Sequence, residues 1–127
     1  PRRAIRPRVM FGRRSVEAIT AREASDRFFA GELVLVDVRT HREFAQVRVP
    51  GAIHIPLHEV GGRLPELRTD HAVAFVCRSG HRSKVVTRRA ARQRPDVLNI
   101  TGGMSAWLAA GLPSADCPVS QPDGRSR

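Results

Sequence analysis

The sequence predicts an α/β domain built on a mostly parallel sheet, and three observations carry that prediction. Its 127 residues, 41% of them hydrophobic, suffice for one domain with a core of modest size. Short apolar runs, "ELVLVDVR", "AVAFV" and "DVLNI", read as buried strands, and each is followed by a stretch with helical signals. Strands that alternate with helices over this length are the mark of parallel strands joined by crossover helices.

The elements follow in chain order. After an arginine-rich start, "SVEAI" is a short strand candidate. Thr20 and Glu23 have the spacing of a capping box and open a helix through "AREASDRFFAG", which Gly31 ends. In "ELVLVDVR" four apolar residues run together before the charges begin, so this strand is buried and its C-terminal end delivers Asp37 and Arg39. Thr40 and Glu43 repeat the capping-box spacing, and a short helix is expected at once. "RVPGAIHIP" places a Pro-Gly turn before a brief strand, "AIHI", closed by Pro56; a short helix then starts near Leu57, and "GGRLPEL" is expected to break it. "AVAFV" is the most apolar strand candidate and ends at Cys77. "RSKVVTRRAARQR" reads as a helix with Val85, Val86 and Ala90 on its apolar side and Lys84, Arg88 and Arg92 at the four-residue step. "DVLNI" is the last strand, "TGG" a turn, and "MSAWLAAG" a helix stopped by Gly111 and Pro113, with Trp107 expected in the core. Residues 1–14 are expected to be a flexible basic segment, 15–113 the folded domain, and 114–127 a flexible tail.

Charge is unevenly distributed. Lys and Arg outnumber Asp and Glu by 22 to 12, a net of +10. The first fourteen residues hold six arginines and no acid, whereas residues 15–115 hold fourteen basic and ten acidic residues, a net of +4. The high pI therefore says little about what the folded part binds, and a nucleic-acid partner is not expected. Two cysteines, Cys77 and Cys117, are too few for the disulfide framework of a small secreted domain, and neither has a CxxC partner. His54 and His58 are four apart, but Pro56 between them argues against a shared helical face, so no metal is expected. With no apolar run long enough to span a membrane and no signal-peptide h-region, the expected setting is cytoplasmic and reducing; the missing initiator Met suggests a chain processed or cut from something longer.

The stretch "CRSGHRSK" carries the chemistry. In parallel sheets ligands gather beyond the carboxyl ends of strands, where the chain turns toward a helix, and Cys77 stands there. A turn containing Gly80 can curl so that successive backbone N–H groups converge on one point, to which the next helix adds its positive end. Such surroundings lower a thiol's pKa, and Arg78 and Arg82 are expected to strengthen the effect. A cysteine that merely fills a core has no use for two arginines, a glycine and a helix N-terminus around it.

These residues resemble the active-site loop of rhodanese-type sulfurtransferases of the small single-domain kind, which have Cys-x-x-Gly-x-Arg-Ser, here "CRSGHRS". Three further stretches agree in order: "LVDVRTHREF" with the family's Asp-x-Arg strand end, "VPGAIHIP" with its Ile-Pro-Gly-Ala segment, and "NITGGMSAW" with its Gly-Gly-x-x-x-Trp. The resemblance covers roughly residues 15–113. It implies a three-layer rhodanese-like fold, a central five-stranded sheet flanked by helices, and a thiosulfate sulfurtransferase that needs no cofactor. Cys77 would take sulfur from thiosulfate or a persulfide donor and pass it to cyanide, a thiol or a protein acceptor. Ser79, Gly80, His81 and their neighbours Arg78 and Arg82 would bind the substrate; Asp37, Arg39, Glu43 and Ser83 would support the loop.

Alternatives remain beside these roles. Arg78 serves either as a donor-anion contact or as a solvated arginine, and His81 either tunes the thiolate or is simply exposed. Arg82 is expected to fork across carbonyls or pair with a carboxylate such as Asp37 or Glu43. Cys117 is a candidate to resolve a Cys77 persulfide. At "VRV", residues 47–49, family members commonly show Gly-His-Ile, and Arg48 in that place is expected to alter packing or partner choice. Phosphatases on this fold have Cys-x5-Arg, one residue longer than Cys77-x4-Arg82, which makes phosphatase or arsenate reductase activity the weaker enzymatic reading. A regulatory module that keeps the cradle to dock a partner is the alternative outside catalysis.

Overall fold

A computed structural model describes residues 16–116; the segment 1–14, Cys117 and the rest of the tail lie outside the described residues. Five strands form one sheet in the order β1 (Ala18–Ile19), β6 (Val97–Ile100), β5 (Ala72–Val76), β2 (Leu33–Asp37), β4 (Ile53–His54). Every neighbouring pair in it is parallel. Helices α1 (Ala21–Phe29), α2 (His41–Gln46), α3 (Val60–Arg63) and α4 (His81–Ala90) lie in the crossovers, and α5 (Gly103–Ala109) follows the last strand of the sheet.

Period-two alternation along the strands sorts the core into two layers. On one face Val73, Phe75 and then Cys77 pack with Val60 of α3 and with Val86 and Ala90 of α4. On the other, Ala74 and Val76 pack with Ala21 and Ala24 of α1 and with Met104 and Trp107 of α5. Trp107 is fully buried, as expected, and its indole N–H donates to the Pro113 carbonyl at 2.8 Å. Burying a ring of that size contributes about 2–3 kcal/mol. Cys77 thus continues the alternation of β5 and points beneath α4. Register pairs Asp37 with Val76, so the C-terminal ends of β2 and β5 emerge side by side.

Both expected capping boxes are formed: the hydroxyls of Thr20 and Thr40 accept the N–H groups of Glu23 and Glu43, whose carboxylates accept in return the N–H groups of Thr20 and Thr40. Four local expectations need correction. Gly61 and Gly62 do not break the helix after Leu57 but lie within α3, between 3-10 turns at Leu57–Glu59 and Leu64–Glu66; neither takes a positive φ, and Pro65 sits in the first turn of the second, where its missing N–H is harmless. Val85 is 42% exposed, because the inner face of α4 is set by Ser83, Val86, Thr87 and Ala90, two of them polar and hydrogen-bonded. The same helix ends at Ala90 rather than near Arg94, with turns ahead of Pro95. Finally, Ala115 and Asp116, expected in the tail, form β7 and pair antiparallel with β3 (Val47–Arg48). Among the described residues no helix is long and apolar enough to cross a membrane.

Candidate active site

The turn from β5 into α4 is made by Cys77, Arg78, Ser79 and Gly80. Gly80 is the N-cap of α4 at φ +103°, a left-handed conformation that L side chains resist, and no side chain caps the helix. The first N–H groups of α4, which a helix leaves without intrahelical partners, therefore need another acceptor. Cys77 Sγ is that acceptor: it takes the Gly80 N–H at 3.1 Å and the Ser83 N–H at 3.3 Å, with the Ser83 hydroxyl at 3.4 Å. Cys77 is 0% exposed, and burial pushes its thiol up. The Ser83 hydroxyl and the N–H groups of Ser83, Gly80 and Ser79 outweigh burial, so the thiol lies below its ordinary value of 9.0.

A second helix holds the loop from behind. The N–H groups of Met104 and Ser105, in the first turn of α5, donate to the carbonyls of Cys77 and Arg78 at 2.8 and 3.0 Å. With its carbonyls drawn outward to α5, the loop turns its N–H groups toward the sulfur. That approach requires Gly103, where a Cβ would overlap the Cys77 carbonyl oxygen and come within 2.7 Å of that of Arg78.

Arg82 pairs with Glu43, one of the two carboxylates expected, through two bonds of 2.9 Å. The guanidinium pulls the Glu43 carboxyl down to about 2, and Glu43 in turn raises Arg82. Asp37, the other carboxylate, is buried and taken by Arg39: Nε donates to Oδ1 at 2.9 Å and Nη2 to Oδ2 at 2.8 Å. Arg39 Nη2 also donates to the Val47 carbonyl at 2.6 Å and so ties the end of β2 to β3. The depression of the Cys77 thiol thus rests chiefly on hydrogen-bond donors, and Arg82, although paired with Glu43, also attracts the thiolate coulombically, as expected. Arg78, Ser79 and His81 are exposed at the mouth, with Ser79 Oγ 3.1 Å from His81 Nδ1. Arg48 stacks its guanidinium 5.1 Å from the Phe44 ring centroid, on α2. Among the described residues no three of His, Cys, Asp and Glu converge as a metal site requires.

One residue beside the sulfur escaped sequence reasoning. Asn99, buried on β6, places Oδ1 2.5 Å from Ser83 Oγ, and its Nδ2 lies 3.5 Å from the Gly80 carbonyl. The signal was present as the single polar residue in "VLNI", since a buried strand keeps such a residue only where it has partners. A hydroxyl carries one proton, so Ser83 cannot donate to Asn99 and to Cys77 at once. Asn99 competes with the sulfur for it.

Comparisons with known proteins bear on the family and the fold. The family pattern described as "Rhodanese-like domain" matches residues 20–110. An HTH-type transcriptional regulator of Mycobacterium tuberculosis is 38% identical over 110 residues, 84% of this chain, and the chain spans 49% of that protein's length. A sulfurtransferase of Allochromatium vinosum is 40% identical over 83 residues, which are 65% of this chain and 78% of the relative. A rhodanese-related protein of Thermoplasma volcanium has the same fold, with a TM-score of 0.72 and 23% identity over 78% of this chain and 97% of its own.

Proposed function

This chain belongs to the rhodanese-like domain family, and we propose that it transfers sulfane sulfur through a persulfide on Cys77. Sulfurtransferase-named relatives support sulfur transfer in general. The observation that carries the reading is the pair of helix N-terminal N–H groups aimed at Cys77 Sγ instead of at a capping side chain.

The thiolate attacks the outer sulfur of thiosulfate; the sulfur–sulfur bond breaks, its electron pair leaves with sulfite, and Cys77 holds a terminal persulfide anion. The N–H groups of Gly80 and Ser83 face that region and stabilise negative charge there without reorganising, as an oxyanion hole does. Cyanide or a thiolate then attacks the terminal sulfur, and Cys77 recovers its electron pair as thiolate. Splitting the transfer in this way gives ping-pong kinetics. Arg78, exposed at the mouth with its guanidinium unpaired among the described residues, attracts the anionic donor. Asp37, Arg39 and Glu43 hold the loop's surroundings. Arg82, already forked on Glu43, is not free to grip a phosphate's oxygens, which favours sulfur over phosphoryl chemistry.

Intact mass after incubation with thiosulfate tests the proposal. Wild-type protein gains the mass of one sulfur atom and loses it to cyanide as thiocyanate, whereas Cys77→Ser gains nothing. A folded, reduced wild type that takes no sulfur from thiosulfate or from a small persulfide sinks the reading. Similarity to a transcriptional regulator supports a second use of the same chemistry, in which the persulfide is a signal. A persulfide that forms but resists every small acceptor favours that use.

A further inference from the structure

Between Asp70 and Asp96 the chain holds seven lysines and arginines and no acidic residue. Two of the seven are neutralised, Arg82 by Glu43 and Arg94 by Asp96. The other five, Arg78, Lys84, Arg88, Arg89 and Arg92, are exposed, and none of their side chains has a hydrogen bond or ion pair with another described residue. Helical geometry makes them one surface. Because α4 buries Ser83, Val86, Thr87 and Ala90, its outer side is left to Lys84, Val85, Arg88 and Arg89, with Arg92 just beyond its end and Arg78 at the cradle. Ten residues of helix give a positive strip roughly 15 Å long that starts at the mouth of the cradle.

We propose that this outer face of α4 docks an acidic protein that presents a thiol to Cys77. The proposal rests on the sulfur-transfer reading and names the class of acceptor. Like charges gathered this closely without counter-charges repel one another, and they gain a use only when a partner supplies acids. A donor the size of thiosulfate occupies the cradle alone and leaves Arg88, Arg89 and Arg92 out of reach, so the partner is a macromolecule. Protein is favoured over nucleic acid by composition. Val85, 42% exposed, lies among the cations, an apolar spot among arginines such as protein interfaces use. The face carries no phenylalanine, tyrosine or tryptophan on which unpaired bases would stack. Since Cys77 is fully buried, the partner's thiol must arrive on a slender segment. There its thiolate attacks the terminal sulfur of the persulfide, the sulfur–sulfur bond breaks toward Cys77, and the partner departs as a persulfide.

The test uses the full chain and three acceptors: a cysteine peptide with a run of glutamates, the same peptide with lysines, and cyanide. The wild type should prefer the glutamate peptide by kcat/KM, less so as salt rises. In the triple variant Lys84→Glu, Arg88→Glu, Arg92→Glu that preference should fall about tenfold or more, while thiosulfate-to-cyanide turnover stays unchanged. The milder triple with Gln at each position covers the case in which charge reversal unfolds the protein. Equal use of both peptides by the wild type, or an unaltered preference in the variants, overturns the proposal; so does a single-stranded RNA oligonucleotide that displaces the glutamate peptide from the wild type at equal charge. Binding of the same peptide to Cys77→Ser, read by fluorescence anisotropy, separates docking from chemistry. If no sulfur is ever transferred yet that binding responds to the charge variants, the sulfur-transfer reading fails and the docking face stands.

Discussion

Two strand-to-helix crossings leave the same edge of the sheet from neighbouring strands and treat the helix N-terminus in opposite ways. From β2 the chain enters α2 through Thr40, whose hydroxyl accepts the Glu43 N–H at 3.1 Å while the Glu43 carboxylate accepts the Thr40 N–H at 3.0 Å. From β5 it enters α4 through Gly80, which has no side chain to offer, and the Gly80 and Ser83 N–H groups turn on Cys77 Sγ. A capped N-terminus is closed to ligands because its donors are already bonded; an uncapped one with a sulfur in front of it is an anion site. The capped crossing also supports the uncapped one, since Glu43, having closed α2, holds Arg82 of α4. The first crossing thus closes its own donors, while the second leaves its donors to the sulfur.

Substitutions that blur the distinction should have effects in the following order. Gly103→Ala forces a Cβ against the loop carbonyls that α5 holds and should displace the N–H groups from the sulfur, so sulfur transfer falls roughly 100-fold. A variant that is folded by circular dichroism and retains wild-type turnover would show that the backing helix does not shape the cradle.

Glu43→Gln keeps the capping-box geometry but removes the negative charge that Arg82 pairs with. The Glu43 carboxyl is lowered from 4.5 to about 2 in the folded protein, so its contribution to stability is complete above about pH 4.5 and lost as pH falls through about 2. That shift corresponds to ~3 kcal/mol. With Arg82 37% exposed, a loss of about 2 kcal/mol at neutral pH is expected after screening. Urea unfolding at pH 7 and near pH 3 should show the gap between wild type and variant narrowing with acid.

At the sulfur itself, Ser83→Ala and Asn99→Ala should act with opposite signs. Removal of the hydroxyl takes a donor from the thiolate, raises the pH at which Cys77 is alkylated by iodoacetamide, and slows turnover about tenfold. Removal of Asn99 frees the same hydroxyl for the sulfur and lowers that pH. Equal displacement in one direction would mean that Asn99 acts only through packing. The smallest effect belongs to Thr40→Ala, which should cost about 1 kcal/mol of stability and leave the alkylation profile of Cys77 in place.

Much of this was legible in the chain. Apolar runs and turn residues identified the strands, since period and composition are local properties, and the two capping boxes could be read because donor and acceptor lie three residues apart. Cys77, Gly80 and Ser83 were found because the cradle is formed by one continuous stretch. Asn99 and the backing by Gly103 were not, because each meets the loop from about twenty residues or more away, across β6 and α5. The choice of Glu43 over Asp37 for Arg82 was likewise beyond local reading: it depends on the buried Asp37 being already held by Arg39.

By itself, then, the sequence determined the main strands, where the principal helices start and both capping boxes, for these follow from side chains within a turn of one another. Only the tertiary structure decided what the uncapped donors face, which carboxylate takes which arginine, and that the outer side of α4 stays positive and unpaired among the described residues. Those outcomes depend on parallel register and helix packing, which bring together groups that no local spacing relates.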